Sequence, residues 1–423
     1  MSLALRRITC KRELAIPGYH DFLYFAQISF IRQHSAFFTS LLQRYEPHYQ
    51  QYTNHYNEAL IHHKDPHTKK PLRLVSWAHL VHTATNVDHA SDWVRSTPII
   101  KIKKNEKGKF DKYPRSIVDV GCEGSLIGFV AAAIVKQAMF DEPIEYKGCT
   151  IEFCKSPEPT VLKHIFHRLY SPRGSAHFVY FSDDSCYAVR DSTGKVNWYN
   201  LDISTCDASH TPALFEAMLQ ITSGTLHEAL SHVVNQCKRK LRINCALRRK
   251  HVRCTIKPTE PMLYTGVTIT TLINNLANII IAISLIENGA IGQGIEEAAA
   301  RAGYVLTGWE KPLEFFEDVQ FLKHSPVVDS DGSWSPMLNL GVIIRASGEC
   351  DGDLPGRGPL EPRARAFQAG LIHGAYPRTF CTVINNLRDS TKVSVSKDEM
   401  RLRSDPKMHA FVSKHLAHKV QPD

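Results

Sequence analysis

An α+β fold is what this 423-residue sequence predicts, and three observations carry the prediction. Short β-rich runs separated by turn residues fill 177–204. Helical periodicity flanks them on both sides, and a long apolar helix follows a Gly-containing loop after 264. The chain is long enough for a large core and for more than one lobe. With 43% hydrophobic and 22% charged residues it has the composition of a globular protein, which excludes a disordered chain.

Taken in order, the first hundred residues read as mostly helical, with a break at KDPHTKKPLR. Ile100 and Ile102 before the turn NEKGK, and Ile117, Val118 and Val120 after it, predict two short strands. SLIGFVAAAIVKQAM (125–139) has helical composition and length. HFVYF and CYAVR enclose SDDS, which predicts a hairpin; DSTGK is a second turn and VNWYNLDIS a third strand. Together they make a three-stranded meander. Helical periodicity returns over 211–245, and 264–290 reads as a loop entering a long buried helix. GIEEAAARA continues as helix and GYVLTGW as strand. VQFLKHSPVV and LGVIIRA are expected to pair across DSDGSWSP. A Gly/Pro-rich break at 348–362 precedes a polar, helical tail. The longest apolar run, LANIIIAISLI (276–286), is too short for a bilayer, so no transmembrane segment is expected.

The net charge of +9 favours an anionic partner. Its distribution is more telling. Residues 101–115 hold seven Lys/Arg against two acids, and 238–257 hold nine with no acid. Each run alone reads equally well as a solvated helix face; together, beside an acidic constellation, they favour a polyphosphate. The eleven cysteines include no C-x-x-C pair and no secretory leader precedes them, which predicts reduced intracellular thiols rather than zinc ligands.

Asp183-Asp184 sit at a turn between apolar runs, and Asp202 and Asp207 straddle the end of the next one. An isolated SDDS is most often a solvated turn. Here both clusters abut strands, and neighbouring strands lie about 4.8 Å apart, close enough for carboxylates to share two cations. Uncompensated, such a cluster repels itself, so either cations occupy it or some carboxylates take up protons.

These motifs resemble those of viral RNA-dependent RNA polymerases. YFSDDS is similar to the metal-binding hairpin called motif C, and LDISTCD to motif A. YTGVTITTLINN resembles motif B, with Thr265, Gly266, Thr270 and Asn274 at its key steps. KIKKNEKGKFDKYPR looks like the basic motif F ending in Arg115, GYVLTGWEKP like motif D with Lys311, and FEDVQFLKHSP like motif E. The order C, A, B is that of the permuted polymerases of permutotetravirus-like and birnavirus-like groups. Two residues depart from that pattern: Asp184, where permuted relatives often carry Asn, and Thr265, where Ser is usual.

The resemblance implies a right-hand polymerase with fingers, an antiparallel palm sheet and a small thumb. It implies fingers over 1–175, a palm over 176–326 with a fingers insertion at about 211–262, and a thumb over 327–423. Asp183, Asp184 and Asp202 would hold two Mg²⁺ or Mn²⁺ ions. Asp207 and Asn274, with Thr270 near them, would read the ribose 2′-hydroxyl, and Thr265 and Gly266 would also bind substrate. Arg115, Lys103 and Lys112 would pair with the triphosphate, and Lys311 would protonate pyrophosphate. Phe321, Leu322 and Lys323 would support the primer. The implied partners are template RNA, nascent or primer RNA and NTPs, in the cytoplasm of a virus-infected host cell. Two other readings stay open: a reverse transcriptase-like palm, and a non-enzymatic basic RNA-binding protein that leaves the acidic meander unexplained.

Overall fold

A computed structural model describes residues 19–43, 99–102, 116–119, five positions between 128 and 140, 141–155 and, with short gaps, 158–339. Two compact units emerge: one gathers residues up to Ile144 with Asp202–Thr307, the other Glu145–Leu201 with the residues from Gly308 onward.

In the first unit, helices α1 (Tyr19–Gln33) and α2 (Ser35–Gln43) agree with the helical reading of the N-terminal region. Strands β1 (Ile99–Ile102) and β2 (Ser116–Asp119) pair antiparallel, as the apolar residues around NEKGK predict. Most of the expected helix over 125–139 lies outside the described residues.

The basic run over 238–257 departs from expectation. It is not helical: Leu241–Leu247 and Lys250–Ile256 form an antiparallel hairpin, β8–β9, whose first strand lies parallel to β1 in a four-stranded sheet ordered β2-β1-β8-β9. Leu241, Ile243, Cys245 and Leu247 recur every second residue, and so do Val252, Cys254 and Ile256. That is strand period, and the density of basic residues over 238–257 obscured it.

Helices α5 (Pro212–Gln220) and α6 (Gly224–Gln236) precede α7 (Thr270–Glu287), the core of this unit, in which every residue from Leu272 to Leu285 is buried. It runs longer than the apolar segment visible in sequence, and by length and composition it could cross a membrane; yet 78% of it is buried inside the fold, as in a core helix. The Ser284 hydroxyl donates to the Ala298 carbonyl at 2.7 Å, tying α7 to α8 (Gln293–Arg301).

The second unit holds strands β3 (Ile144–Tyr146, from its second residue), β4 (Cys149–Phe153), β5 (Ala176–Phe181), β6 (Asp184–Arg190) and β7 (Val196–Ile203, through Leu201), hydrogen-bonded in the order β7-β6-β5-β4-β3. The predicted meander is β5-β6-β7. Sequence reasoning missed its neighbours: β4 pairs parallel with β5, and α3 (Pro159–Tyr170) makes the crossover. Two signals were available, the Lys147-Gly148 turn with φ of +48° and +75° and a proline at the start of α3.

Leu162, Ile165, Phe166 and Leu169 of α3 pack with Val179, Cys186 and Ala188 on one face of the sheet, together with Phe316, Val319, Phe321 and Leu322. The opposite parity carries a buried aromatic row, with Phe178 stacked on Tyr187 at 4.4 Å and Tyr187 on Tyr199 at 5.7 Å. Beneath α3, buried Glu152 accepts from both Arg168 and His177.

The last hairpin is β11 (His324–Val328) with β12 (Trp334–Leu338), so WSPML is the second strand and not LGVIIRA, which lies outside the described residues. Pro336 had argued against a strand. Asn339 N–H donates to Lys323 O, which makes 323/339 a hydrogen-bonded pair; by alternation Pro326 and Pro336 face each other at a pair that needs no N–H.

Candidate active site

The carboxylates owe their positions to two turns. β5 and β6 are joined by a two-residue loop, Ser182-Asp183, closed by the pair Phe181–Asp184. Such a loop needs a left-handed residue, and Ser182 supplies it with φ +58°. Asp183 is therefore exposed at the tip, while Asp184 opens β6 and is half-buried. Its charge adds to burial in pushing the Cys186 thiol well above its usual range.

β6 and β7 are joined by Asp191–Lys195. The Asp191 carboxylate accepts from Thr193 (N and Oγ1), Lys195 N and Asn197 Nδ2, and these bonds hold it below the ordinary range. The register then runs from Arg190↔Val196 to Ser185↔Leu201. Asp184 and Asp202 are the next residues along the two strands. By parity Asp184 lies on the sheet face that carries Cys186 and Trp198.

Asn200 steadies this end of β7. Its side chain donates to Asp318 O at 3.2 Å and accepts from Gln320 N–H at 3.0 Å. Gly308 lies so close to the Asn200 carbonyl that a Cβ would stand 2.0 Å from its oxygen.

In the first unit, Asp202 is exposed and pairs with Thr307 of β10 (Leu306–Thr307). Thr205, at φ +48°, turns the chain into the short helix α4 (Cys206–Ser209), which carries half-buried Asp207. α4 packs against α7. The Thr270 hydroxyl, at the start of α7, bonds to the Tyr264 and Val267 carbonyls at 3.1 and 2.7 Å, so it shapes the preceding loop. One turn on, Asn274 is buried, and its Oδ1 lies 2.8 Å from His210 Nε2.

Lys311 is exposed in the segment after β10. Phe321 and Leu322 are buried in the second unit's core, and Lys323 remains partly exposed. Leu322 and Lys323 form a tight turn with φ of +50° and +63°. Arg115, Lys103, Lys112, Thr265 and Gly266 lie outside the described residues.

Sequence reasoning missed His210, Tyr304 and Gln27, all buried near Asn274 or the α4 segment. Nothing in a lone histidine, a tyrosine 94 positions away and a helical glutamine marks them as a group. Cys206 Sγ stands 3.7 Å from His210 Nε2, the nitrogen that Asn274 also meets. A Cys-His-Asn triad needs nucleophile and orienting group on opposite ring nitrogens, so this trio is not a hydrolase centre.

Asp183, Asp184 and Asp202 offer hard oxygen donors, the set that Mg²⁺ or Mn²⁺ takes. Among the described residues no group of three or more His, Cys, Asp or Glu side chains stands together so as to hold a metal ion. The donor set still fits, because Mg²⁺ is commonly held by one or two carboxylates together with substrate phosphates.

The chain is similar to the RNA polymerase VP1 from Infectious Pancreatic Necrosis Virus, at 14% identity and a TM-score of 0.47, over 84% of this chain and 53% of that one. It is also similar to a chain of a birnavirus VP1-VP3 complex, at 14% identity and a TM-score of 0.49, over 83% and 54%. It thus spans about half the length of these relatives. No family model and no curated protein matches.

Proposed function

We propose that this chain performs template-directed RNA synthesis, adding ribonucleotides from rNTPs to an RNA 3′-hydroxyl. One observation carries the reading. Ser185 pairs with Leu201, and the residues that continue those strands are Asp184 and Asp202, with Asp183 in the adjoining turn. A sheet that ends in carboxylates from neighbouring strands is built for cations, not for a core.

Two Mg²⁺ or Mn²⁺ ions, held by Asp183, Asp184 and Asp202, would supply charge stabilisation to the phosphoryl group. The chain's own residues supply the rest. Asp207 accepts a hydrogen bond from the ribose 2′-hydroxyl, and Asn274 holds Asp207 or the sugar. Thr270 shapes the loop that contains Thr265 and Gly266. Arg115, with Lys103 and Lys112, pairs with the triphosphate, and Lys311 gives a proton to departing pyrophosphate. Phe321 and Leu322 anchor the turn that sets Lys323 against the primer. The partners are template and nascent RNA and rNTPs; as a virus-encoded enzyme it would act in the host-cell cytoplasm.

The test is extension of an RNA primer on an RNA template with added Mg²⁺, for the wild type and Asp202→Ala. Extension with rNTPs that fails in the variant supports the reading. Equal use of dNTPs points to a reverse transcriptase-like palm, and RNA binding without extension points to a binding protein.

A further inference from the structure

His210, which the proposed chemistry does not use, occupies the centre of a buried hydrogen-bonded chain. The residue is 4% exposed, Asn274 2% and Tyr304 0%. Asn274 Oδ1 is an acceptor, so His210 Nε2 carries the proton and donates to it at 2.8 Å. His210 Nδ1 is then the acceptor for the Tyr304 hydroxyl, 3.4 Å away. Burial holds that hydroxyl well above its usual range, so it remains a donor. The chain has one direction: Tyr304 O–H to imidazole, imidazole N–H to carboxamide oxygen.

The ring is held as firmly as its partners. Gln27 of α1, 0% exposed, donates from Nε2 to Ser209 O at 2.9 Å and to Gly303 O at 3.0 Å. Its Oε1 accepts from Thr211 N at 3.2 Å and Thr211 Oγ1 at 2.7 Å. One side chain therefore clamps the residue before His210, the residue after it and the residue before Tyr304. Gly303 permits this approach. A Cβ there would stand 2.6 Å from Gln27 Cγ and 2.8 Å from Leu23 O.

We infer that His210, fixed by Gln27 and Tyr304, is a positioning residue that sets the carboxamide of Asn274 for ribose selection. The inference rests on the polymerase reading above. With its oxygen held by the imidazole, the carboxamide cannot flip, and its NH₂ end is the one set to donate to Asp207 or to the sugar. Without the imidazole, the restraint that its N–H places on the Asn274 amide oxygen is lost. The donor is then no longer fixed where Asp207 or the sugar needs it.

The test compares kcat/KM for matched rNTP and dNTP pairs in the wild type, Asn274→Ala, His210→Phe and His210→Gln, with thermal stability measured alongside. His210→Phe is expected to narrow the rNTP preference roughly tenfold, the value of one lost hydrogen bond. His210→Gln, whose amide reaches the same oxygen, is expected to restore most of it. Where Phe is not tolerated, His210→Asn, which retracts the amide, carries the expectation of His210→Phe. A change that only loosened the fold would lower both kcat/KM values together and leave their ratio unchanged. If Asn274→Ala narrows the preference while the His210 variants that fold do not, the inference is overturned and the polymerase reading stands. If the wild type shows no extension or no ribose preference, the reading fails and the inference with it.

Discussion

Ser185 and Leu201 face each other across β6 and β7, and the Ser185 hydroxyl donates to the Leu201 carbonyl. This doubly secured pair is the last rung before the carboxylates. Asp183→Ala and Asp202→Ala are therefore expected to abolish nucleotide addition while leaving RNA affinity nearly intact, since affinity comes from Lys and Arg contacts to phosphate. Primer extension and filter binding on the same preparations check this. Near wild-type extension in either variant would remove the site assignment.

RNA binding is expected to weaken steeply with salt as counterions are released. Reversing the charge of Arg248, Arg249 and Lys250, in the basic run over 238–257, should flatten the dependence of log K on log[salt]. An unchanged slope means that this hairpin does not touch RNA.

Gly303 has φ +78°, and a side chain there collides with α1. Gly303→Ala is expected to cost about 2 kcal/mol or more, combining a left-handed backbone with a clash against the Leu23 carbonyl. A denaturant midpoint equal to that of the wild type would contradict the close approach.

Glu152 is pushed up by burial, but hydrogen bonds from His177 and Arg168, and their charges, prevail and hold it below its ordinary value of 4.5. Its folded pKa lies below the unfolded one. The stability it contributes is thus fully present above about pH 4.5 and is lost as pH falls through the folded value. Melting temperatures against pH should show Glu152→Gln with a flatter acid limb than the wild type. Parallel curves would mean that the cluster does not titrate with folding.

Lys323 pairs a left-handed backbone with partial exposure. That conformation costs an L-residue roughly 1–2 kcal/mol, and glycine gives back about 0.5–1 kcal/mol of it in entropy. Lys323→Gly should therefore raise the melting temperature slightly while reducing primer extension. A stabilised variant with undiminished extension would show that the turn has no role in holding the primer.

What could be read from the sequence followed from local pattern. The meander and the buried helix announce themselves by period or turn residues, whereas the run VQFLKHSPVV read as one strand and only His324–Val328 of it is β11. β8–β9 escaped because the density of Lys and Arg over 238–257 read as a basic helix face, and β12 because Pro336 looked like a turn. At the site, the carboxylates were legible because acid clusters against apolar strands are rare. His210 was not, since its meaning comes from Asn274, Tyr304 and Gln27, which are distant in sequence and adjacent only after folding.

The three strands that carry or flank Asp183, Asp184 and Asp202 come from one uninterrupted stretch, 176–203, joined by a two-residue loop and by Asp191–Lys195. Contacts this local need little loop closure, and hairpins of this kind form in about 1–10 μs. The stretch can register its strands during synthesis, before the helix that bears Asn274 has left the ribosome. The parallel pairing of β4 with β5, which must wait for α3 to cross over, is the slower step. Assembly of the carboxylate-bearing sheet therefore runs from its chemistry outward, with the scaffold closing around strands already in register.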